Sequence, residues 1–132
     1  MKKIFIILFL MLSVFSITSA NTFKNEKELN NFFIQVGKYI EYYKNGNIKV
    51  QGNYKDGKRE GESLTYYENG KLKKKILYKN GMRNGFAIAY YENGIIEQKV
   101  YFVDDKKENE RLYYDKKGNL IKTEIYKNDV KQ

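Results

Sequence analysis

The chain has 132 residues, enough for one domain, with 25 basic and 16 acidic side chains and a formal charge of +9. It contains no Cys, His, Pro or Trp, which excludes Ser–His and Cys–His nucleophile pairs, thiolate or imidazole zinc sites, and disulfides. Apolar bulk leans on 13 Tyr and 8 Phe, rings that bury well while leaving a hydroxyl wet.

Residues 1–20 read as a secretory signal peptide. Lys2 and Lys3 form the basic start, and Ile4 to Leu12 is an unbroken apolar run. Thr18-Ser19-Ala20 places small residues where a signal peptidase needs them, so cleavage is expected after Ala20. The apolar run is short for a bilayer span of ~20 residues. The expected location is therefore outside the cytoplasm, periplasmic or secreted. No Cys follows the apolar run, which excludes a lipoprotein anchor. Cleavage removes two lysines and no acid, so the mature chain stays basic and favours acidic partners.

The segment 21–36 is expected to be a linker and a short capping helix. Asn25 suits an N-cap and Glu28 the reciprocal acid. Leu29, Phe32, Phe33 and Val36 fall at i, i+3, i+4 and i+7 and make one apolar stripe. Gly37 is a natural stop. Such a helix would cover the open edge of the first repeat.

From residue 37 onward the chain repeats itself every 24 residues, in units 37–60, 61–84, 85–108 and 109–132. Gly46, Gly70, Gly94 and Gly118 keep the step, as do Tyr42, Tyr66, Tyr90 and Tyr114. A fixed period of this size means stacked supersecondary units. Within each of the first three units two alternating segments flank Asn-Gly or Asp-Gly pairs, as at Asn45-Gly46, Asp56-Gly57 and Asn93-Gly94. These are hairpin signals for type I′ turns, in which both central residues need positive φ. The expected fold is an all-β, elongated antiparallel sheet of about eight short strands.

A side-chain period of two gives each strand two faces. The faithful columns are Ile40/Leu64/Ile88/Leu112, Tyr42/Tyr66/Tyr90/Tyr114, Ile48/Leu72/Ile96/Leu120 and Tyr54/Tyr78/Phe102/Tyr126. Strict alternation puts them together on the packed face. The variable columns Glu41/Thr65/Ala89/Tyr113 and Lys49/Lys73/Glu97/Ile121 fall on the wetter face. Tyr43, Tyr67 and Tyr91 join that wetter face and form an exposed row, interrupted by Asp115. They are the candidate protein-contact residues. Arg59, Arg83, Lys107 and Lys131 recur after each second turn and are the candidate polyanion-contact residues.

The phrases Tyr66-Tyr67-Glu68-Asn69-Gly70-Lys71-Leu72, Tyr78-Lys79-Asn80-Gly81 and Arg83-Asn84-Gly85 resemble MORN-repeat variants. They are similar to the group found in YwqK-like antitoxins of toxin–antitoxin systems. The likeness covers 37–132, with departures where Asp105 and Asp129 replace a turn glycine and Asn109 a unit-opening glycine. The resemblance implies a twisted, grooved sheet of successive hairpins. It also implies protein or lipid-headgroup contact, with no catalytic residue to carry over.

The sequence thus points to a non-catalytic, exported protein–protein interaction module, with Tyr43, Tyr67 and Tyr91 as aromatic anchors. The alternative is binding of anionic lipid or a cell-envelope polyanion through the basic stripe. Nucleic acid is a poor target because an exported chain rarely meets it. Glu60, Glu62, Glu68, Glu92, Glu108 and Glu110 lie mostly in or beside turns, without the pocket that glycoside cleavage would need. No catalytic residue, cofactor or metal site is expected.

Overall fold

The computed structural model describes residues 37–132. The expected signal peptide and the capping helix lie outside the described residues. The strands are β1 (Gly37–Tyr42), β2 (Ile48–Lys55), β3 (Lys58–Tyr66), β4 (Leu72–Lys79), β5 (Met82–Tyr90), β6 (Ile96–Val103), β7 (Lys106–Tyr114), β8 (Leu120–Lys127) and the two-residue β9 (Val130–Lys131). They form one antiparallel sheet in sequence order, each strand paired with its chain neighbours. The count is therefore the expected eight plus a short ninth, which closes the last hairpin.

Two kinds of turn alternate along the chain. At Asp56-Gly57, Asn80-Gly81, Asp104-Asp105 and Asn128-Asp129 both central residues have positive φ, as the type I′ turn requires. Asp105 and Asp129 hold φ values of 68° and 69°, so loss of glycine leaves the geometry intact. The expectation fails at the other turns. In Asn45-Gly46, Asn69-Gly70 and Asn93-Gly94 only the glycine has positive φ. These loops are longer: the Gly46 amide donates to the Tyr43 carbonyl, and the Tyr43 amide donates to the Asn47 carbonyl. The asparagine serves instead as an acceptor, Asn45 Oδ1 receiving the Asn47 amide at 3.0 Å.

Each of the four units carries a bulge that corrects the expected faces. Glu41 lies opposite Val50, but Tyr42 lies opposite Ile48. Lys49 is thus an extra residue, and Lys73, Glu97 and Ile121 are its equivalents. A one-residue slip reverses every side chain beyond it. Ile48 consequently shares a face with Ile40 and Tyr42, while Val50 and Tyr54 turn to the other. The Tyr54/Tyr78/Phe102/Tyr126 column leaves the face assigned to it by strict alternation. A second irregularity opens each later unit, where Gly61, Gly85 and Asn109 adopt positive φ.

The sheet is one layer thick, so no face is covered by a second layer of the described residues. The apolar side chains classed as buried there are Val100 and Phe102, each 5% exposed. Both lie on the variable face, which corrects the expectation that the faithful face is the packed one. On the faithful face the chain leaves Phe86, Ile125 and Leu120 open, Leu120 being 54% exposed. On the variable face directly opposed pairs balance size: Tyr39 with Gly52, Ser63 with Ile76, Ala87 with Val100. A Cβ at Gly52 would sit 2.6 Å from the Tyr39 hydroxyl, so the ring needs the glycine beneath it. Phe102→Ala is expected to cost about 3 kcal/mol in chemical denaturation, against less than about 1 kcal/mol for Leu120→Ala.

Candidate binding surfaces

Tyr43, Tyr67 and Tyr91 follow β1, β3 and β5 at the start of the longer turns. Each hydroxyl donates to a backbone carbonyl of the next unit: Tyr43 to Tyr66 at 2.8 Å, Tyr67 to Tyr90 at 2.6 Å, Tyr91 to Tyr114 at 2.8 Å. The three are half-buried rather than an exposed row, because the hydroxyl is drawn in to satisfy a carbonyl. Burial, then the charges of Glu97 and Glu92, push the Tyr67 hydroxyl pKa up. Asp115 stands at the equivalent position of the fourth unit. Its carboxylate turns inward and accepts from the Lys117 and Asn119 amides and the Asn119 side chain. Tyr67→Phe is expected to lower unfolding stability by about 0.5–1.5 kcal/mol, the worth of one such bond, measured by urea denaturation.

The four cations do form a row, and the structure places aromatics between them. Tyr54 pairs with Arg59, Tyr78 with Arg83, Phe102 with Lys107 and Tyr126 with Lys131. Three of the cations also lean over the following ring: Arg59 over Tyr78 at 5.3 Å, Arg83 over Phe102 at 4.0 Å, Lys107 over Tyr126 at 4.4 Å. Such cation–π contacts explain why Phe102 is so well covered. The charge is largely answered locally. Arg83 Nε meets Asp105 at 2.7 Å, Lys107 meets Asp129 at 3.1 Å, and Lys131 meets Glu124 at 2.9 Å. The side chain of Arg83 holds the Asp105 pKa below its usual value, and that of Lys107 does the same for Asp129. Arg59 donates to the Tyr78 hydroxyl at 3.1 Å and makes no carboxylate pair among the described residues.

A depression of about 220 Å³ opens beside this row on the variable face. Ala87 and Ala89 of β5 create it, with Ile76 and Val100 beside them and Lys74, Gln98 and Arg111 among its other walls. Arg83, Phe102 and Lys107 complete one end. Its lining holds four cations and no carboxylate. Arg111 Nη2 donates to Gln98 Oε1 at 2.8 Å, while its buried Nε finds no acceptor among the described residues.

Glu124 is a residue that sequence reasoning missed. Its column reads Gly52, Ile76, Val100, Glu124, and the break from small or apolar to acidic was the available signal. The carboxylate is 8% exposed. It is ringed by Lys122 at 2.8 Å, Lys131 at 2.9 Å, and the hydroxyls of Tyr113 and Tyr126 at 2.7 and 3.2 Å. Lys122 first, then Tyr113 and Lys131, hold its pKa far below the usual carboxylate range. A depressed folded pKa contributes stability above the unfolded carboxylate value of ~4.3 and loses it as pH falls through the folded one. The melting temperature is therefore expected to fall on acidification below about pH 4. Glu124→Gln is expected to be less stable near neutrality and to lose less on acidification, read by thermal melts across that range.

Several of the remaining acids hold turns or strands in place. Glu60 accepts the Asn80 amide at 2.8 Å, Glu108 accepts the Asn128 amide at 2.6 Å, and Glu62 pairs with Lys75. Among the described residues no group of three His, Cys, Asp or Glu side chains is placed to hold a metal ion. A family model described as MORN repeat variant matches residues 35–56, 59–80 and 83–104. No match was found among curated proteins.

Proposed function

The chain belongs to the MORN repeat variant family, and on that premise we propose that it is a non-catalytic, exported module that binds a protein partner. MORN repeats are a non-catalytic repeat type and generally serve as protein- or lipid-binding modules. The observation that carries the reading is the single-layer sheet. It spends its sequence on regular rows of side chains and leaves aromatic and aliphatic surface open on one face and a cation-lined depression on the other. Surface of that kind suits recognition better than catalysis. The signal-like segment 1–20 supports a partner in the cell envelope or outside the cell, and the likeness to YwqK-like antitoxins supports a protein as that partner.

Tyr43, Tyr67 and Tyr91 remain the proposed anchors. Their hydroxyl bonds fix the rings before any partner arrives, and a ring already fixed loses little entropy on binding. The alternative is anionic lipid or envelope polymer on Arg59, Arg83, Lys107 and Lys131. The absence of a carboxylate pair at Arg59 among the described residues favours it, while the pairing of the other three reduces the field they project.

Capture of the partner from native envelope by the full chain tests the reading. A stoichiometric protein is expected to stay bound in roughly 0.5 M salt, where exposed charge attraction is screened. Tyr67→Phe should retain it and Tyr67→Ala should release it, with circular dichroism confirming the fold of both. Release at that salt together with pelleting on anionic vesicles would favour the polyanion reading instead.

A further inference from the structure

The third unit differs from its neighbours where the sheet sinks. Ala87 stands where the other units have Tyr39, Ser63 and Arg111, and Ala89 where they have Glu41, Thr65 and Tyr113. Two adjacent inward steps on one strand, beside the longer side chains of Lys74 and Gln98 on the flanking strands, leave the depression. Its floor is apolar and its rim is cationic. We propose that this depression docks an acidic segment of a protein partner, one that presents a carboxylate beside a small apolar side chain. The proposal deepens the module reading and rests on it.

Charge complementarity selects the occupant. Four cations and no acid line the space. Arg83 and Lys107 are already paired with Asp105 and Asp129, so they bound one end without offering a free charge. Lys74 has no ion pair among the described residues, and Arg111 keeps an Nε without an acceptor there. A buried donor left unpaired carries a penalty that an entering acceptor removes. Rotation about the Arg111 side chain presents Nε and a terminal nitrogen together, the fork that a carboxylate fits. The small apolar neighbour of that carboxylate packs on Ala87, Ala89 and Val100. A lipid surface fits less well. It needs a broad basic face, whereas the pairing of Arg83 and Lys107 with Asp105 and Asp129 leaves this one a narrow charged patch at Lys74 and Arg111.

The test uses the full chain, a fluorescein-labelled peptide of alternating glutamate and alanine, and its lysine–alanine counterpart. The glutamate peptide is expected to bind saturably and shift the amide resonances of Ala87, Ala89, Gln98, Val100 and Arg111. The lysine peptide is expected to do neither. Ala89→Tyr fills the depression with the residue type that stands at the equivalent position 113, and Arg111→Gln removes the fork. Each is expected to weaken peptide binding by roughly tenfold, the scale of one lost anchor. Lys55→Gln, which removes an exposed charge outside the depression, should change it less than about twofold. The proposal is overturned if the glutamate peptide does not bind. It is equally overturned if Arg111→Gln binds as the native chain does, or if phosphatidylglycerol vesicles bind at these residues and the peptide does not. Shifts that follow protein concentration would assign the depression to a second copy and also overturn it. A partner captured from envelope that ignores both variants would sink this site while leaving the module reading in place.

Discussion

The Tyr67 hydroxyl, held 2.6 Å from the carbonyl of Tyr90, belongs to the interaction on which the rest of this molecule depends. A sheet one layer thick cannot draw its stability from a core between layers, and the strand ladders alone join only chain neighbours. The β2–β3, β4–β5 and β6–β7 ladders cross from one 24-residue unit to the next, and further bonds reinforce each crossing. Tyr43, Tyr67 and Tyr91 do so at one end of the strands. At the other end the turns reach back, Gly81, Asp105 and Asp129 donating their amides to the carbonyls of Arg59, Arg83 and Lys107 in turn. Each bond is worth only about 1 kcal/mol, but the same bond recurs at each junction, which is how repeat arrays accumulate stability.

Between those two seams the variable face carries a zipper of alternating rings and cations. It does for this sheet part of what a second layer would do. The guanidinium of Arg83 lies 4.0 Å above the Phe102 ring, and Phe102 is as buried as a core residue. Arg and Lys stems cover apolar surface while their heads stay near water. The departures from the repeat fit the same logic. Asp105 and Asp129 cost the turn a glycine but gain a carboxylate, which meets the cation of the preceding turn. In the fourth unit, Glu124 gathers Lys122, Lys131, Tyr113 and Tyr126 into an ionic cluster at that edge of the sheet.

This division of labour bears on function. Positions that recur from unit to unit help hold the units together, the tyrosine row through its hydroxyls while its rings stay half-exposed, and most of the basic stripe through ion pairs. A different surface arises where a unit departs from the pattern, as at Ala87 and Ala89. The carboxylates serve turns and ion pairs in a similar way, with Glu60 and Glu108 accepting turn amides.

The sequence by itself determined the number of units, the hairpin order and the all-β class, because a 24-residue period and paired turn residues are properties of the chain alone. It also located the cation row, since any column of a repeat becomes a row once units stack. Which face each column occupies was decided only by tertiary structure. The extra residues Lys49, Lys73, Glu97 and Ile121 carry no mark that distinguishes a bulge from a regular strand position, yet each reverses the alternation beyond it. That reversal sends Tyr54 and its equivalents to the cations and places the buried Val100 and Phe102 on the variable face. The depression over Ala87 and Ala89 and the four-partner cage of Glu124 depend on the same registers, because both are assembled from strands that only pairing brings side by side.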